Sequence, residues 1–243
     1  MNHRERFLEL QSVLNAHQAF WRPAPFYVRR PEWCAHWPAL ADAVLGLDDA
    51  TLERLGADPD ANRAWLETLL PLAGQLGALC DVPRLAMRDL PPSDAHFDWH
   101  IPGRKREQID AFAAQGPASR APLLEWCAGK GHLGRRLAMT DRLPVRSLEI
   151  DPALCEDATR LAARSGVEQT VLCADALDEA SRCHVRDHAV LALHACGELH
   201  RSLVRSAAHD GAHSYRIAPC CYYRGAQDGY PPLSRDAALA LDG

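Results

Sequence analysis

From Pro122 onward, short apolar runs alternate with segments of helical periodicity, and that alternation leaves few folds open. PLLEWCAG, VRSLEID, QTVLCAD, HAVLALHAC and AHSYRIAPCC read as strands. GHLGRRLAMTD, PALCEDATRLAARSG and GELHRSLVRSAAHD read as helices between them. Strands joined through helices of ~10–15 residues cannot be hairpin partners; they pair in parallel, with helices on both faces of the sheet. The expected architecture is α/β: a doubly wound parallel sheet.

The first hundred residues carry no such rhythm. Residues 3–20 read as an amphipathic helix with Phe7, Leu10, Val13 and Leu14 on one face. Residues 17–37 interleave Arg22, Arg29 and Arg30 with Phe20, Trp21, Phe26, Tyr27, Trp33 and Trp37, and prolines at 23, 25 and 31 preclude one long helix. Residues 38–80 look helical, 83–94 form a Pro-rich connection, and a further helix is expected over 104–114. The expected division is a mainly helical region, 1–100, and a sheet domain, 101–243.

Net charge is −5, which excludes a polycation that coats nucleic acid; such a partner would need a local basic patch. The Arg–aromatic stretch at 17–37 offers one reading of that kind, stacking bases and holding phosphates. The other is a packed connection whose aromatics form core. No apolar run approaches the ~20 residues that span a bilayer, so no membrane association is expected. Nine cysteines without a signal core at the N-terminus suit a reducing compartment, and a cytoplasmic location is expected.

The turn after the first strand, Glu125-Trp126-Cys127-Ala128-Gly129-Lys130-Gly131-His132-Leu133-Gly134, holds the candidate cofactor site. Gly129 and Gly131 allow close approach of backbone to a ligand, and a valine at 131 is expected to fill ligand space. Gly129, Gly131 and Gly134 also satisfy the dinucleotide fingerprint, a weak signal alone. Three acids sharpen it. Glu125 precedes the glycines, where it suits an ammonium and would repel a pyrophosphate. Glu149, followed by Ile150, ends the second strand, where a carboxylate accepts from ribose hydroxyls. Asp175, followed by Ala176, ends the third, where it can accept from an adenine amino group. Acids at three successive strand ends favour S-adenosylmethionine over a nicotinamide cofactor. Lys105 or Arg104, just upstream, is placed to reach the methionine carboxylate. A solvated basic turn is the competing reading there.

LLEWCAGKGHLG, SLEIDP, VLCADAL, LHACGELH and APCCYY stand in the order and spacing of the class I, Rossmann-like S-adenosylmethionine-dependent methyltransferases, which this chain resembles over about residues 100–225. Within that class it resembles the branch that includes the methyltransferase-like 25 proteins, the glutathione S-transferase C-terminal-domain-containing protein and, more distantly, the TRM13-type tRNA 2′-O-methyltransferases. The resemblance implies a cofactor site formed by Lys105, Glu125, Cys127, Gly129, Lys130, Gly131, Glu149, Ile150, Asp175, Ala176 and His194. It also implies seven strands, whereas this sequence stops about twenty residues after the fifth; either the last hairpin is missing or the chain is a fragment. Cys127 departs from the usual first glycine, so its backbone is expected in a conformation open to L-residues.

The acceptor side should lie over strands four and five, at His194, Cys196, Cys220, Cys221 and Tyr222. Methyl transfer needs in-line positioning, and a base only where the acceptor must lose a proton. Two chemistries fit. In one, His194 or a Tyr orients or deprotonates a hydroxyl or amine. In the other, a Cys attacks a pyrimidine ring. Direct transfer to oxygen or nitrogen is the expectation, with RNA as acceptor by the TRM13-type resemblance and the N-terminal region in acceptor recognition. A protein or small-molecule acceptor, a cofactor-binding module without catalysis, and an NAD-dependent oxidoreductase stay open. A metal site from His194, Cys196, Cys220 and Cys221 is conceivable by ligand type, but no C-x-x-C spacing supports it and no metal is expected.

Overall fold

The computed structural model describes residues 2–23, 27–93, 97, 101–221, 224 and 231–238. The chain forms two compact units. One runs over Met1–Pro83 and takes up Ser234–Ala240; the other runs over Arg84–Leu233. The contact division thus falls at Pro83, where a boundary at residue 100 was expected. Among the described residues, no helix is long and apolar enough to cross a membrane.

The second unit holds a five-stranded parallel sheet: β1 Leu123–Trp126, β2 Val145–Glu149, β3 Gln169–Cys173, β4 Ala189–Leu193 and β5 Ser214–Ala218. Their order is β3-β2-β1-β4-β5, a Rossmann-like doubly wound arrangement that reverses direction at β1. All four pairings are parallel. Because parallel sheets are covered on both faces, strand residues of either parity are apolar and two cores result. Leu123, Val145, Ala189 and Leu191 pack with Ile109, Phe112, Leu133 and Leu137. Leu124, Trp126, Leu148, Val190 and Ala192 pack with Val185, Ala195 and Leu203 on the opposite face.

Numbered along the whole chain, the helices of this unit are α8 Gly103–Ala114, α9 His132–Asp141, α10 Pro152–Ser165 and α11 Glu198–Ser206, with a 3₁₀ turn over Glu179–His184. The start and end of α10 show how local sequence sets such bounds. Asp151 caps it by accepting from the Ala153 and Leu154 amides, Pro152 sits where no amide is needed, and Gly166 closes the helix left-handed.

The first unit is helical: α1 His3–Ala16, α2 Gln18–Trp21, α3 Trp33–His36, α4 Pro38–Leu45, α5 Asp49–Ala57, α6 Pro59–Leu69 and α7 Pro71–Cys80. Val13, Leu40, Leu70, Leu72 and Leu79 form its core, with Phe20, Trp33 and Trp37 packed against it. Phe20 lies 5.4 Å from both tryptophan rings. The aromatics of the 17–37 stretch therefore mostly serve packing, while Tyr27, Arg29 and Arg30 remain exposed; Phe26 lies outside the described residues.

Candidate functional site

The two central strands, β1 and β4, are both followed by a non-glycine residue with left-handed backbone: Cys127 at φ 58° and His194 at φ 65°. The expectation for Cys127 needs correcting, since it takes the glycine-like conformation rather than a broad L-residue one, at a cost of roughly 1–2 kcal/mol. Such strain collects where side chains are aimed at a site. Gly129 and Gly131 follow at φ 58° and 66°.

Two adjoining cavities open at the carboxyl ends of the strands, and Cys127 borders both. The larger, about 490 Å³, is lined by Glu149, Ile150, Asp175, Ala176 and Leu177 on one side and by Cys196, Gly197, Leu199 and Arg224 on the other. Ile150 and Leu177 are apolar yet 59% and 50% exposed, which leaves a flat apolar group something to rest on. The smaller, about 120 Å³, is lined by Lys105, Ile109, Glu125, Gly129, His132, Leu193 and His194.

Glu149 organises the loops around it. Its Oε2 accepts the Gly129 amide at 2.7 Å, and Oε1 accepts the Ile150 and Asp151 amides at 3.0 and 3.1 Å. A carboxylate has about four acceptor positions, so one remains for a ligand hydroxyl. Asp175 Oδ1 accepts the Leu177 amide at 2.8 Å.

Glu125 is buried beneath the start of α9. It accepts from Ser147 Oγ at 2.7 Å and from the Gly134 amide. Gln169 Nε2 continues the chain to Ser147 Oγ at 2.8 Å and to the Gly131 carbonyl at 3.0 Å. This polar line across β1, β2 and β3 anchors the glycine turn from below. Burial raises the Glu125 carboxyl to about 7. His132, which accepts from Arg135 through Nδ1 at 2.9 Å, is lowered to about 3 by burial and by the charges of Arg135, Lys105 and Lys130.

Those shifts act on stability with opposite signs. A carboxyl that rises on folding makes the folded state bind more protons, so its contribution weakens as pH climbs from 4.5 to about 7. A histidine that falls on folding strengthens stability as pH climbs from about 3 to 6.5. Between 4.5 and 6.5 the two oppose each other. Glu125→Gln is expected to expose the histidine arm, with stability rising by about 2–3 kcal/mol over that interval relative to wild type. Urea unfolding at a series of pH values checks this, and parallel curves for the two proteins would refute it.

After β4, His194 Nε2 donates to Gln108 Oε1 of α8 at 3.0 Å, which leaves Nδ1 as the ring's acceptor. Cys196 and Cys220 bring their sulfurs to 3.0 Å, and Cys220 and Cys221 to 3.5 Å. Burial acts to raise Cys196, but hydrogen bonds from the Cys220 thiol and the Cys220 and Cys221 amides outweigh it and hold it below the ordinary thiol value. Cys220, hydrogen-bonded to Cys196 and Cys221, is pushed up to about 12. Burial and the negative charges of Glu149 and Asp175 likewise push Cys127 up to about 12.

Of the sequence candidates, Lys105, Glu125, Cys127, Gly129, Glu149, Ile150, Asp175, Ala176, His194 and Cys196 border one cavity or the other. Lys130 does not; its ammonium pairs with Asp157 at 2.9 Å. Gly131 needs a correction too. A Cβ there would meet Gln169 Nε2 at 2.7 Å and Ala158 Cβ at 3.3 Å, so it faces helix packing and not ligand space. A Cβ on Gly129 meets nothing within 4 Å. Tyr222 lies outside the described residues. Sequence reading missed Gln108, Ser147, Gln169 and Arg224, which reach the site through tertiary contact and carry no local signature, and it gave no role to His132 within the glycine turn.

A family model described as a methyltransferase domain matches residues 105–227, a span that includes every residue lining both cavities. Three solved structures are similar. A Pyrococcus horikoshii protein described as a transferase is 15% identical over 46% of this chain and 41% of its own, with a TM-score of 0.37. The cyclopropane synthase MmaA2 from Mycobacterium tuberculosis is 17% identical over 50% of this chain and 45% of its own, with a TM-score of 0.37. A human methyltransferase 10 domain containing protein is 15% identical over 63% of this chain and 72% of its own, with a TM-score of 0.28. The chain spans less than half the length of the first two. At such TM-scores none of the three bears on function. No curated protein matches the chain.

Proposed function

This chain belongs to the methyltransferase-domain family, and from that premise we propose that it is an S-adenosylmethionine-dependent methyltransferase acting by direct transfer to an oxygen or nitrogen of RNA. The observation that carries the cofactor reading is the pair of cavities meeting at Cys127, one suited to an adenosine and the other to an amino-acid zwitterion. When bound, this cofactor supplies an electrophilic methyl group on a sulfonium.

The lining fits that group. Glu149 has an acceptor position for a ribose hydroxyl, Asp175 has a second carboxylate oxygen for an adenine amino group, and Ile150 offers an apolar face. Lys105 and Glu125 border the same small cavity and match a carboxylate and an ammonium. A pyrophosphate would instead meet Glu125, Glu149 and Asp175 together, which disfavours the nicotinamide reading. His194, on the wall of the small cavity, can orient an acceptor or take its proton through Nδ1.

RNA as acceptor rests on the sequence resemblance to the branch that includes the TRM13-type tRNA enzymes, and on the exposed Tyr27, Arg29 and Arg30. Methyl-labelled S-adenosylmethionine incubated with the protein and a cell extract tests it. Label in RNA is expected; label confined to protein or small molecules would move the acceptor class. Absence of S-adenosylmethionine binding alongside nicotinamide binding would replace the reading with an oxidoreductase one. A covalent pyrimidine route predicts a protein–RNA adduct, and none is expected on denaturing gels.

The two loop glycines should separate binding from folding. Gly129→Val is expected to abolish cofactor binding, because the side chain enters open space bordering the small cavity, and to lower stability by more than the roughly 1–2 kcal/mol of an unbranched residue, because β-branched valine is strained in this left-handed backbone. Gly131→Val carries the same backbone strain and is expected to cost about 1–3 kcal/mol more through overpacking against Gln169 and Ala158. Thermal melts paired with binding isotherms read both, and a well-folded Gly129→Val protein that binds normally would show that the loop does not face the ligand.

A further inference from the structure

We propose that Cys196, Cys220 and Cys221 form a three-thiolate site for a thiophilic divalent cation, zinc foremost, at the carboxyl ends of β4 and β5. Their ligating sulfurs all lie within 4.8 Å of one another, and none of the three is in a disulfide. A tetrahedral ion with Zn–S bonds of ~2.3 Å holds its sulfurs roughly 3.8 Å apart, so small adjustments centre an ion among them. The convergence comes from the sheet. β4 and β5 are parallel neighbours, paired up to Leu193 and Ala218, so the turn bearing Cys196 and the segment bearing Cys220 and Cys221 leave the same edge side by side. A separation of 24 positions therefore does what a C-x-x-C spacing does elsewhere. The Cys220 amide, 3.4 Å from Cys196 Sγ, adds a donor of the kind that orients a ligating sulfur.

Plain packing accounts poorly for this group. None of the three cysteines belongs to either apolar core, and Cys220 is exposed. Three protein ligands leave a fourth position for water or a donor atom of an acceptor, as in open metal sites. Cys196 borders the larger cavity, so that position adjoins the site already described. The inference does not rest on methyl transfer.

The test uses the whole protein, purified under reducing conditions, stripped with a chelator and titrated with Co(II), then with Zn(II) in competition. One ion per chain is expected, with thiolate-to-cobalt charge-transfer bands and tetrahedral ligand-field bands. Cys196→Ser, Cys220→Ser and Cys221→Ser should each weaken binding on the order of a hundredfold, the share of one ligand in a structural zinc site. Cys80→Ser should leave it unchanged. Protection of the three wild-type thiols from alkylation by zinc, read by peptide mass spectrometry, probes the same site without a substitution. Absence of the thiolate bands, affinity equal to wild type in all three variants, or a Cys196–Cys220 disulfide that forms with zinc present would each overturn the proposal.

Discussion

Glu149→Ala should lower affinity for S-adenosylmethionine at least about a hundredfold. The carboxylate receives three backbone amides, from Gly129, Ile150 and Asp151, and so ties the glycine turn to the end of β2. Hydrogen bonds to a charged group are worth about 1.5–3 kcal/mol each, and a hundredfold corresponds to about 2.7 kcal/mol. The substitution also removes the acceptor proposed for a ribose hydroxyl, so loop order and direct contact are lost together. Glu149→Gln should fall between alanine and wild type. It keeps one carbonyl oxygen, but its amide group would face a backbone N–H. Titration calorimetry measures the effect, with a thermal melt for each variant. Affinity within threefold of wild type in a folded Glu149→Ala protein would end the cofactor assignment.

His194→Ala should slow single-turnover methyl transfer by about 10²–10⁴-fold, the usual contribution of a positioned acid or base, while cofactor affinity changes little. Two constraints would fit the histidine to that work. Its left-handed backbone at the end of β4 aims the ring at the small cavity, and Gln108 occupies Nε2. Alanine in a left-handed conformation carries strain of its own, so His194→Asn is the better control; asparagine tolerates that region and lacks the ring. Loss of cofactor affinity equal to the loss of rate in the Asn variant would make His194 a binding residue.

The five strands and the helices between them were readable because each strand is short, apolar and bounded by turn residues. The parallel pairing followed from connection length alone. The first unit was read less finely. Residues 38–80 looked like a continuous helical stretch but are four helices, and the breaks had signals: Asp48 and Asp58 as caps, Pro59 and Pro71 at first positions. At the site, the acids at the ends of β1, β2 and β3 were visible because topology fixes where strand ends lie. The environment of Glu125 was not. Its partner Ser147 sits on β2, and Gln169, which donates to Ser147, sits on β3; their approach depends on Gly134, where any Cβ would come within 2.5 Å of the Glu125 carboxylate and 2.9 Å of Ser147 Oγ. The left-handed turn at Cys127 was equally hidden, since residue type argued against it.

The order β3-β2-β1-β4-β5 also bears on how the protein is made. A nascent chain completes β1, β2 and β3, with Gly129, Glu149 and Asp175, before any of β4 has been translated. Until then one edge of β1 stands open, because Leu123, Leu124 and Glu125 take their remaining partners from Ala189, Val190 and Leu191. An unpaired edge of buried-type residues invites association with other chains. The exposure is brief, since 15 residues, 174–188, separate β3 from β4, roughly one to three seconds of synthesis at ~5–20 residues per second. A chain truncated between Cys173 and Ala189 and released would hold a half-sheet with Glu125, Glu149 and Asp175 at its strand ends and an adhesive edge. Such truncated chains should pellet with aggregates, whereas chains extending beyond β5 should not.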